Sequence, residues 1–283
     1  MRIAVLLATF NRKEKTLSCL KTLFEQQLPI GVDLDVFLTD DASSDGTTEA
    51  VKKEFPSVKI FFGSGSLFWA GGMRNSWYKA VETNPNFYLL LNDDTVLEPH
   101  AIVRLRKYYE VHSNPPAICI GSTIDQATGE ISYGGRKLYH QKKVQSYTVH
   151  SHTDFVECDL ANANIMMVPR EIVRKIGILS EDYTHSIADF DYTLKAKKAG
   201  FKAVVVPGIL GYCTDDHGNN WKSANVSLRD RIKYLKSPKG LAYEEYLHFI
   251  KKHFPSHLPE AFIKLWLKTL FPALWDKFKR SES

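Results

Sequence analysis

The sequence has 283 residues, 44% of them hydrophobic and 24% charged, which is typical of one large globular domain or of one domain with an appendage. Its four cysteines are widely spaced, which argues against a disulfide-rich secreted scaffold and indicates reduced thiols in a cytoplasmic protein. The net charge of +5 is concentrated in residues 251–283, with seven Lys/Arg against three Asp/Glu, so the main body lacks the basic surface of a nucleic-acid-binding protein and no nucleic-acid partner is expected.

Apolar and helix-forming segments alternate in the first 116 residues. Continuous apolar runs predict buried strands at 3–8, 34–38, 58–62 and 87–91. The intervening segments predict helices at about 12–27, 47–55 and 72–82. This alternation predicts right-handed βαβ units and a mostly parallel sheet. Because ligands bind at the carboxyl ends of such strands, the polar clusters that follow these runs predict a functional site at one edge of the sheet.

The second half of the chain has a different pattern. Shorter strands and one helix are predicted at 118–122, 131–133, 142–149, 165–168, 187–199 (the helix) and 203–206, with a hairpin turn at 125–129. No apolar run approaches the about 20 residues of a membrane-spanning helix. In the tail, Phe262, Trp266 and Leu270 recur every four residues on a basic helix. Such a helix either lies in a membrane interface or packs on the catalytic domain or a partner subunit.

Asp40, Asp41 and Asp45 follow the second predicted strand, in the segment DDASSDGT at 40–47. Asp and Ser are common where turns begin and where helices are capped, so one interpretation is purely structural. The functional interpretation is that a carboxylate at a strand end accepts hydrogen bonds from a nucleotide base or ribose. The residues by themselves leave both interpretations open.

Asn92, Asp93 and Asp94 interrupt the apolar run at 87–91. Two adjacent carboxylates at the end of a buried strand repel each other unless a positive group neutralises them. A hard cation with oxygen ligands, Mn²⁺ or Mg²⁺ shared with a substrate diphosphate, meets this need. The structural alternative is an Asx turn before a helix at Pro99.

Asp189 and Asp191 lie at the start of the helix predicted at 187–199. Residues 186–189 match a capping box in which Asp replaces the usual Glu or Gln, and this interpretation accounts for Asp189 but leaves Asp191 unexplained. A carboxylate at a helix N-terminus stays ionised, and one that faces a cleft can act as a general base. His217 follows the last predicted strand and is a candidate ligand whose value depends on its neighbours.

The order of these segments resembles that of family 2 glycosyltransferases of the GT-A fold. The resemblance covers about residues 1–220 and rests on TFNR at 9–12, the DDASSDGT segment, NDD at 92–94, residues 161–170, ADFDYTLK at 188–195 and AGF at 199–201. It implies an α/β fold, a Rossmann-like αβα sandwich with a mixed, mostly parallel sheet. With the helical tail, the expected organisation is a catalytic domain at 1–235, whose nucleotide-binding half is about 1–116 and acceptor half about 117–235, and an amphipathic helical extension at 236–283.

The resemblance also implies a role for each candidate residue. Asp41 is expected to hydrogen-bond a pyrimidine base. The nucleotide-sugar pocket is expected to contain Thr9, Phe10, Arg12, Asp41, Arg74, Asn92 and Asp93. Independently of the resemblance, the segment SGSLFWAGG at 64–72 predicts an aromatic floor of the donor pocket at Phe68 or Trp69, and the structural alternative is two buried aromatic residues beneath a flexible loop. Asp94, with His217, is expected to hold Mn²⁺ or Mg²⁺. Asp189 is the expected catalytic base, with Asp191 as the alternative.

The implied activity is the inverting transfer of one sugar from a UDP- or dTDP-sugar to an acceptor hydroxyl. The Gln-x-x-Arg-Trp motif of processive synthases is absent from the sequence, which favours single-sugar addition. The basic tail suggests a lipid-linked saccharide acceptor in bacterial surface polysaccharide biosynthesis, at the inner face of the membrane. One rival is a nucleotidyltransferase, although the first strand is not followed by the Gly-rich loop typical of that class. The other is a non-catalytic nucleotide-sugar-binding protein, which Ala188 supports because it replaces a Glu common in the family.

Overall fold

The computed structural model of the protein describes residues 1–112, 116–214, 226–273 and 275. The strands are β1 Arg2–Thr9, β2 Asp33–Asp40, β3 Lys59–Phe62, β4 Phe87–Leu91, β5 Val96–Leu97, β6 Ala117–Ile124, β7 Ile131–Tyr133, β8 Gly135–Leu138, β9 Ser146–Val149, β10 Val156–Cys158, β11 Leu160–Ala161, β12 Ile165–Pro169 and β13 Lys202–Tyr212. The helices are α1 Lys13–Phe24, α2 Thr47–Glu54, α3 Phe68–Val81, α4 Ala101–Val111, α5 Arg170–Ile176, α6 Ala188–Lys198, α7 Leu228–Lys236, α8 Tyr243–His253 and α9 Leu258–Leu270.

A mixed sheet forms the centre of the molecule, in the strand order β10-β13-β6-β12-β4-β1-β2-β3. The strands β1 to β4 pair in parallel, and β6 pairs in parallel with β13. Strand β12 joins these two groups because it pairs with β4 on one side and with β6 on the other, antiparallel to both. A small second sheet has the order β11-β8-β9. The predicted α/β fold with a mixed, mostly parallel sheet and C-terminal helices is therefore confirmed.

Helices cover both faces of the sheet. Successive side chains of a strand point to opposite faces, and β1 contributes alternately to two cores. One core contains Ile3, Val5 and Leu7 with residues of α1, α2 and α4, and the other contains Ala4, Leu6 and Ala8 with residues of α3, α5 and α6. Because β1 is apolar at every one of these positions, it is buried between two layers of helices.

Among the elements that differ from their predicted bounds are α3, β13 and β9. Helix α3 begins at Phe68 rather than at about residue 72, because the carboxylate of Asp41 accepts hydrogen bonds from the N–H groups at the helix start. Strand β13 continues past Pro207 to Tyr212. A bulge accommodates the proline, and Arg104 binds the carbonyls that the bulge exposes. Strand β9 covers only the second half of the segment predicted at 142–149.

The C-terminal helices pack on one another and on the α/β fold. Helix α9 contacts both α7 and α8. Helix α8 also contributes Phe249 and Ile250 to the core that contains α3 and α6. Among the described residues, every helix is too short or too polar to cross a bilayer. The division into a catalytic domain and an extension stays a prediction.

Candidate functional site

Asp93 and Asp94 follow β4 and face the start of α1. The guanidinium of Arg12 donates a hydrogen bond to Asp94 Oδ2 at 2.7 Å and lies 3.3 Å from Asp93 Oδ1. The ammonium of Lys15 lies 3.9 Å from Asp94 Oδ2. Opposite charges this close attract each other. Arg12 thus supplies at least part of the positive charge that Asp93 and Asp94, the acidic pair, require.

The acidic pair also has a carboxylate oxygen without a hydrogen-bond partner. Burial raises the pKa of Asp93 to about 6, while Arg12 opposes the shift. Asp93 Oδ2 is buried and accepts no hydrogen bond from any described residue. An unsatisfied buried oxygen is costly, and it is the type of donor that Mg²⁺ or Mn²⁺ binds. Among the described residues, no group of three or more His, Cys, Asp or Glu side chains is placed to hold a metal ion, and His217 lies outside them.

Asp41 reaches from the end of β2 to the segment before α3. Its Oδ1 accepts a hydrogen bond from the N–H of Gly65 at 2.7 Å. Its Oδ2 accepts hydrogen bonds from the N–H groups of Leu67 and Phe68 at 2.8 and 3.2 Å. The first N–H groups of a helix have no partner within the helix, and a carboxylate there is favoured. Asp41 therefore fixes residues 63–68 beside the strand ends, with three of its about four acceptor positions in use.

Asp40 and Asp45 form the turn that precedes α2. Asp40 accepts a hydrogen bond from the N–H of Ser43 at 2.8 Å and another from the hydroxyl of Thr48. Asp45 accepts hydrogen bonds from the N–H groups of Lys13 and Thr47 at 2.9 and 3.1 Å. These contacts close the turn and attach it to the start of α1. The structural interpretation of the DDASSDGT segment accounts for these two residues.

Trp69 and Asn92 connect the two halves of the sheet edge. Trp69 Nε1 donates to Asn92 Oδ1 at 2.8 Å, and the N–H of Asn92 donates to the carbonyl of Asn164 at 3.2 Å. The N–H of Trp69 faces His185 Nδ1 at 3.4 Å. The start of α3, the end of β4, the segment before β12 and the segment before α6 consequently meet at one place.

Asp189 belongs to the same network. Its Oδ2 accepts a hydrogen bond from the N–H of Ala163 at 3.2 Å, and its Oδ1 accepts one from the N–H of Phe190 at 2.8 Å. Ala163 precedes Asn164, which binds Asn92 beside the acidic pair. Burial raises the pKa of Asp189 to about 6, although these backbone N–H groups lower it. A carboxylate with this pKa is a proton acceptor close to neutral pH.

The capping box predicted at residues 186–189 is wrong. Ile187 takes the N-cap position with φ of 73°, and no side chain caps the helix there. In this left-handed conformation the chain enters α6 without bringing Ser186 onto the helix N–H groups. Asp189 instead bonds to its own helix and to the neighbouring segment before β12.

Asp191 points to the other side of α6. It is fully buried, and its Oδ1 accepts hydrogen bonds from His253 Nε2 at 2.7 Å and from the hydroxyl of Tyr183 at 3.1 Å. Lys252 Nζ lies 2.9 Å from the same oxygen. Burial raises the pKa of Asp191, but His253 and Lys252 outweigh it, so that the net shift is downward. Residues two apart on a helix differ by about 200° in direction, which is why the two aspartates have different surroundings.

The remaining predicted residues take different places around the network. Arg74 donates from Nη1 to the carbonyls of Ser180 and Tyr183, both at 2.7 Å, and thereby holds the segment before α6. Thr9 is buried, and its hydroxyl lies 2.9 Å from that of Thr16. Phe10 is 41% exposed. The structure thus brings together Arg12, Trp69, Asn92, Asp93, Asp94 and Asp189. Arg74 instead contacts the segment before α6, and Asp191 lies on the other side of α6.

Two contributors to the network were not predicted. His185 carries no sequence signal, because it lies in an irregular segment before α6. Asn164 falls within residues 161–170, whose resemblance to an acceptor-side loop was the only available indication. Both residues act through contacts with segments far away in the chain.

Solved structures of low sequence identity share this fold. S. aureus TarS 1–349 in complex with UDP-GlcNAc is 17% identical, with a TM-score of 0.55, over 82% of this chain and 64% of the TarS chain. The same fragment with UDP gives 16% identity and a TM-score of 0.54, over 76% of this chain and 60% of the TarS chain. The chain therefore spans somewhat less than two thirds of that fragment.

A mannosyltransferase is covered more fully. The mannosyltransferase PcManGT from Pyrobaculum calidifontis, in complex with GDP-Man and Mn²⁺, is 16% identical with a TM-score of 0.56, over 99% of this chain and 79% of the other. No curated protein matches the sequence. The family model described as glycosyl transferase family 2 matches residues 4–177, which include the acidic pair and Asp41. On this match the chain belongs to glycosyl transferase family 2, and its α/β fold is of the GT-A type.

Proposed function

We propose that the protein transfers one sugar from a nucleoside-diphosphate sugar to an acceptor hydroxyl, with inversion at the anomeric carbon. The observation that carries the proposal is the hydrogen-bonded network at the sheet edge, which joins Arg12 and the acidic pair to Asp189. The network contains a cationic group and carboxylates that are suited to bind a diphosphate and its metal ion. It also contains a separate carboxylate that is suited to accept a proton. Family membership supports the same activity.

The acidic pair fits a divalent cation, Mn²⁺ or Mg²⁺. Asp93 offers the buried Oδ2 that no described residue satisfies, and Asp94 offers a second hard oxygen ligand. We propose Asp94 as a direct ligand of the cation, with the Asp93 carboxylate beside it and His217 as a further candidate ligand. When bound, such a cation would neutralise charge on the diphosphate leaving group. Arg12 is suited to contact the same phosphates, because a guanidinium binds them through paired hydrogen bonds.

Asp189 is the proposed general base. A pKa of about 6 leaves most molecules ionised at neutral pH, so that the carboxylate can take the proton of the acceptor hydroxyl as its oxygen bonds to the anomeric carbon. The bond to the diphosphate breaks on the opposite face, which gives inversion. We propose Asp189 rather than Asp191 for this role, because Asp191 is fully buried and contacts His253, Lys252 and Tyr183.

The donor is proposed to be a UDP- or dTDP-sugar, with the base bound near Asp41. One acceptor position on that carboxylate remains for a base N–H once residues 65–68 have taken three. The acceptor is proposed to be a lipid-linked saccharide of bacterial surface polysaccharide biosynthesis. The exposed apolar residues of α9 support a location at a membrane surface.

Turnover of a panel of nucleotide sugars tests the proposal. The protein is incubated with each donor and Mn²⁺, with and without saccharide acceptors, and released nucleoside diphosphate is measured. We expect one donor to be consumed by the wild type and by Asp33→Asn, an exposed-carboxylate control, but hardly by Asp189→Asn. Release of pyrophosphate from a nucleoside triphosphate and a sugar phosphate would instead identify a nucleotidyltransferase. Binding without any turnover would identify a non-catalytic protein.

A further inference from the structure

Helix α9 has more apolar surface than the fold covers. Its inner side, with Ala261, Leu265 and Thr269, is buried. Five large apolar residues, four on the outer side of α9 and one directly after its end, are 41–54% exposed: Phe262, Ile263, Leu267, Leu270 and Phe271. At about 100° per residue, the four of them within the helix fall in an arc of about 140° beside the buried side. An exposed apolar area of this kind usually marks a binding surface.

A groove between α8 and α9 extends this surface. Its volume is about 490 Å³, and it is lined by Leu247, His248 and Lys251 of α8 and by Leu258, Pro259, Phe262 and Ile263 of α9. The groove and the exposed residues of α9 together form one continuous surface, which we name the α9 face. The α9 face does not include the acidic pair or Asp189.

Positive charge borders the α9 face. Lys251 lies at the groove, and Lys264 and Lys268 lie on the polar side of α9. Glu260 is the one acidic residue within α9, and its carboxylate is bound by Lys143 and Lys264 at 2.7 and 2.6 Å. Within the described residues 251–273, four lysines stand against one acidic residue, Glu260. The acidic charge is therefore compensated, and the border of the α9 face is cationic.

This combination matches the surface of a bilayer that contains anionic lipids. Apolar side chains enter the boundary of the acyl chains while lysines contact lipid phosphates. A second copy of the chain fits less well, because a two-fold interface through the α9 face would bring the cationic borders of two copies together. We propose that the α9 face docks the protein on an anionic membrane surface.

Helix α8 links the α9 face to the catalytic helix. On the side of α8 away from the groove, Lys252 and His253 bind Asp191 of α6. The Glu245 carboxylate accepts hydrogen bonds from the hydroxyl and the N–H of Thr184, at 2.6 and 3.1 Å. Docking through the α9 face would therefore hold the site at a fixed position relative to the membrane. This consequence rests on the proposed function, which places the acceptor at the bilayer. The docking of the α9 face on a membrane does not depend on that function.

Vesicle flotation of the full chain tests the proposal. Vesicles of phosphatidylcholine alone are compared with vesicles that also contain phosphatidylglycerol. We expect the wild type to float with the anionic vesicles, and added salt to weaken this binding. Ile263→Asp should reduce the bound fraction by at least about tenfold, because it puts a charge into the apolar surface. The matched control is Ile30→Asp, since Ile30 is the more exposed isoleucine and lies outside the α9 face.

Several results would overturn the proposal. One such result is that the wild type does not float with anionic vesicles. Another is that Ile263→Asp and Ile30→Asp both float as well as the wild type. A wild-type dimer that Ile263→Asp converts to a monomer, without flotation of either, would assign the α9 face to a second copy. Thermal unfolding confirms that each variant is folded. Turnover with a soluble acceptor should not change in Ile263→Asp, so loss of flotation and loss of transfer are separate results.

Discussion

Replacement of Asp189 by Asn tests the assignment of the base. The amide keeps the shape of the side chain but cannot take up a proton. General-base catalysis contributes about 10²–10⁴-fold, so we expect kcat to fall by that factor while donor binding changes little. In the wild type the pKa of about 6 predicts that turnover rises with pH and levels off above about pH 7, because only the ionised carboxylate is active.

The same substitution should alter how stability depends on pH. Burial raises the pKa of Asp189 from 3.8 to about 6, so the folded protein holds this proton more tightly than the unfolded chain. The associated stability is present below about pH 4 and is lost as the pH rises to about 6. At about 1.4 kcal/mol per pH unit the loss is at most about 3 kcal/mol. The Asn variant lacks this loss, so its free energy of unfolding should increase relative to the wild type across the same interval.

Two measurements check these expectations. Nucleoside diphosphate release is followed over a pH series, and urea unfolding is followed at about pH 4 and about pH 7, with Asp33→Asn as the control. Near-normal turnover in Asp189→Asn would refute the assignment of the base. An unchanged stability difference between the two pH values would show that the Asp189 carboxyl is not held at a raised pKa by burial.

Three further substitutions have defined outcomes. Asp191→Asn should lower the free energy of unfolding by about 2 kcal/mol in urea, since the bond to His253 is charge-assisted; a variant as stable as the wild type would contradict the observed cluster. Asp94→Ala should abolish the Mn²⁺ dependence of nucleoside diphosphate binding in calorimetry, and persistence of that dependence would move the metal elsewhere. Gly63→Ala would put a Cβ 2.3 Å from Asp41 Oδ1. We expect it to cost about 1–3 kcal/mol in thermal unfolding and to weaken nucleotide binding, and unchanged values would show that residues 63–68 adapt freely.

The order of strands and helices in the first half could be predicted because its signals are local. A strand such as β1 is apolar at every position, and the polar residues that end β2 and β4 follow directly in the sequence. The turn roles of Asp40 and Asp45 were also accessible, because Asp40 accepts a hydrogen bond from Ser43 and Asp45 accepts one from Thr47 within the same turn. Such contacts follow from known turn and cap chemistry.

The contacts that could not be predicted join distant parts of the chain. Asp41 binds the start of α3, which lies 26 residues farther on, so its partner depends on the path of the intervening loop. The choice between Asp189 and Asp191 depends on α8, whose His253 is 62 residues from Asp191. The sequence does predict a positive group beside the acidic pair. That Arg12 contributes to it follows from the position of α1 against β4.

A crystal structure of the protein with UDP and Mn²⁺ would test most directly whether this sheet edge is a nucleotide-sugar site. We expect the diphosphate to lie against Asp94 and Arg12, with its terminal phosphate, where a sugar would be attached, facing Asp189. Binding of the nucleotide at another surface, or with its terminal phosphate directed away from Asp189, would contradict this expectation.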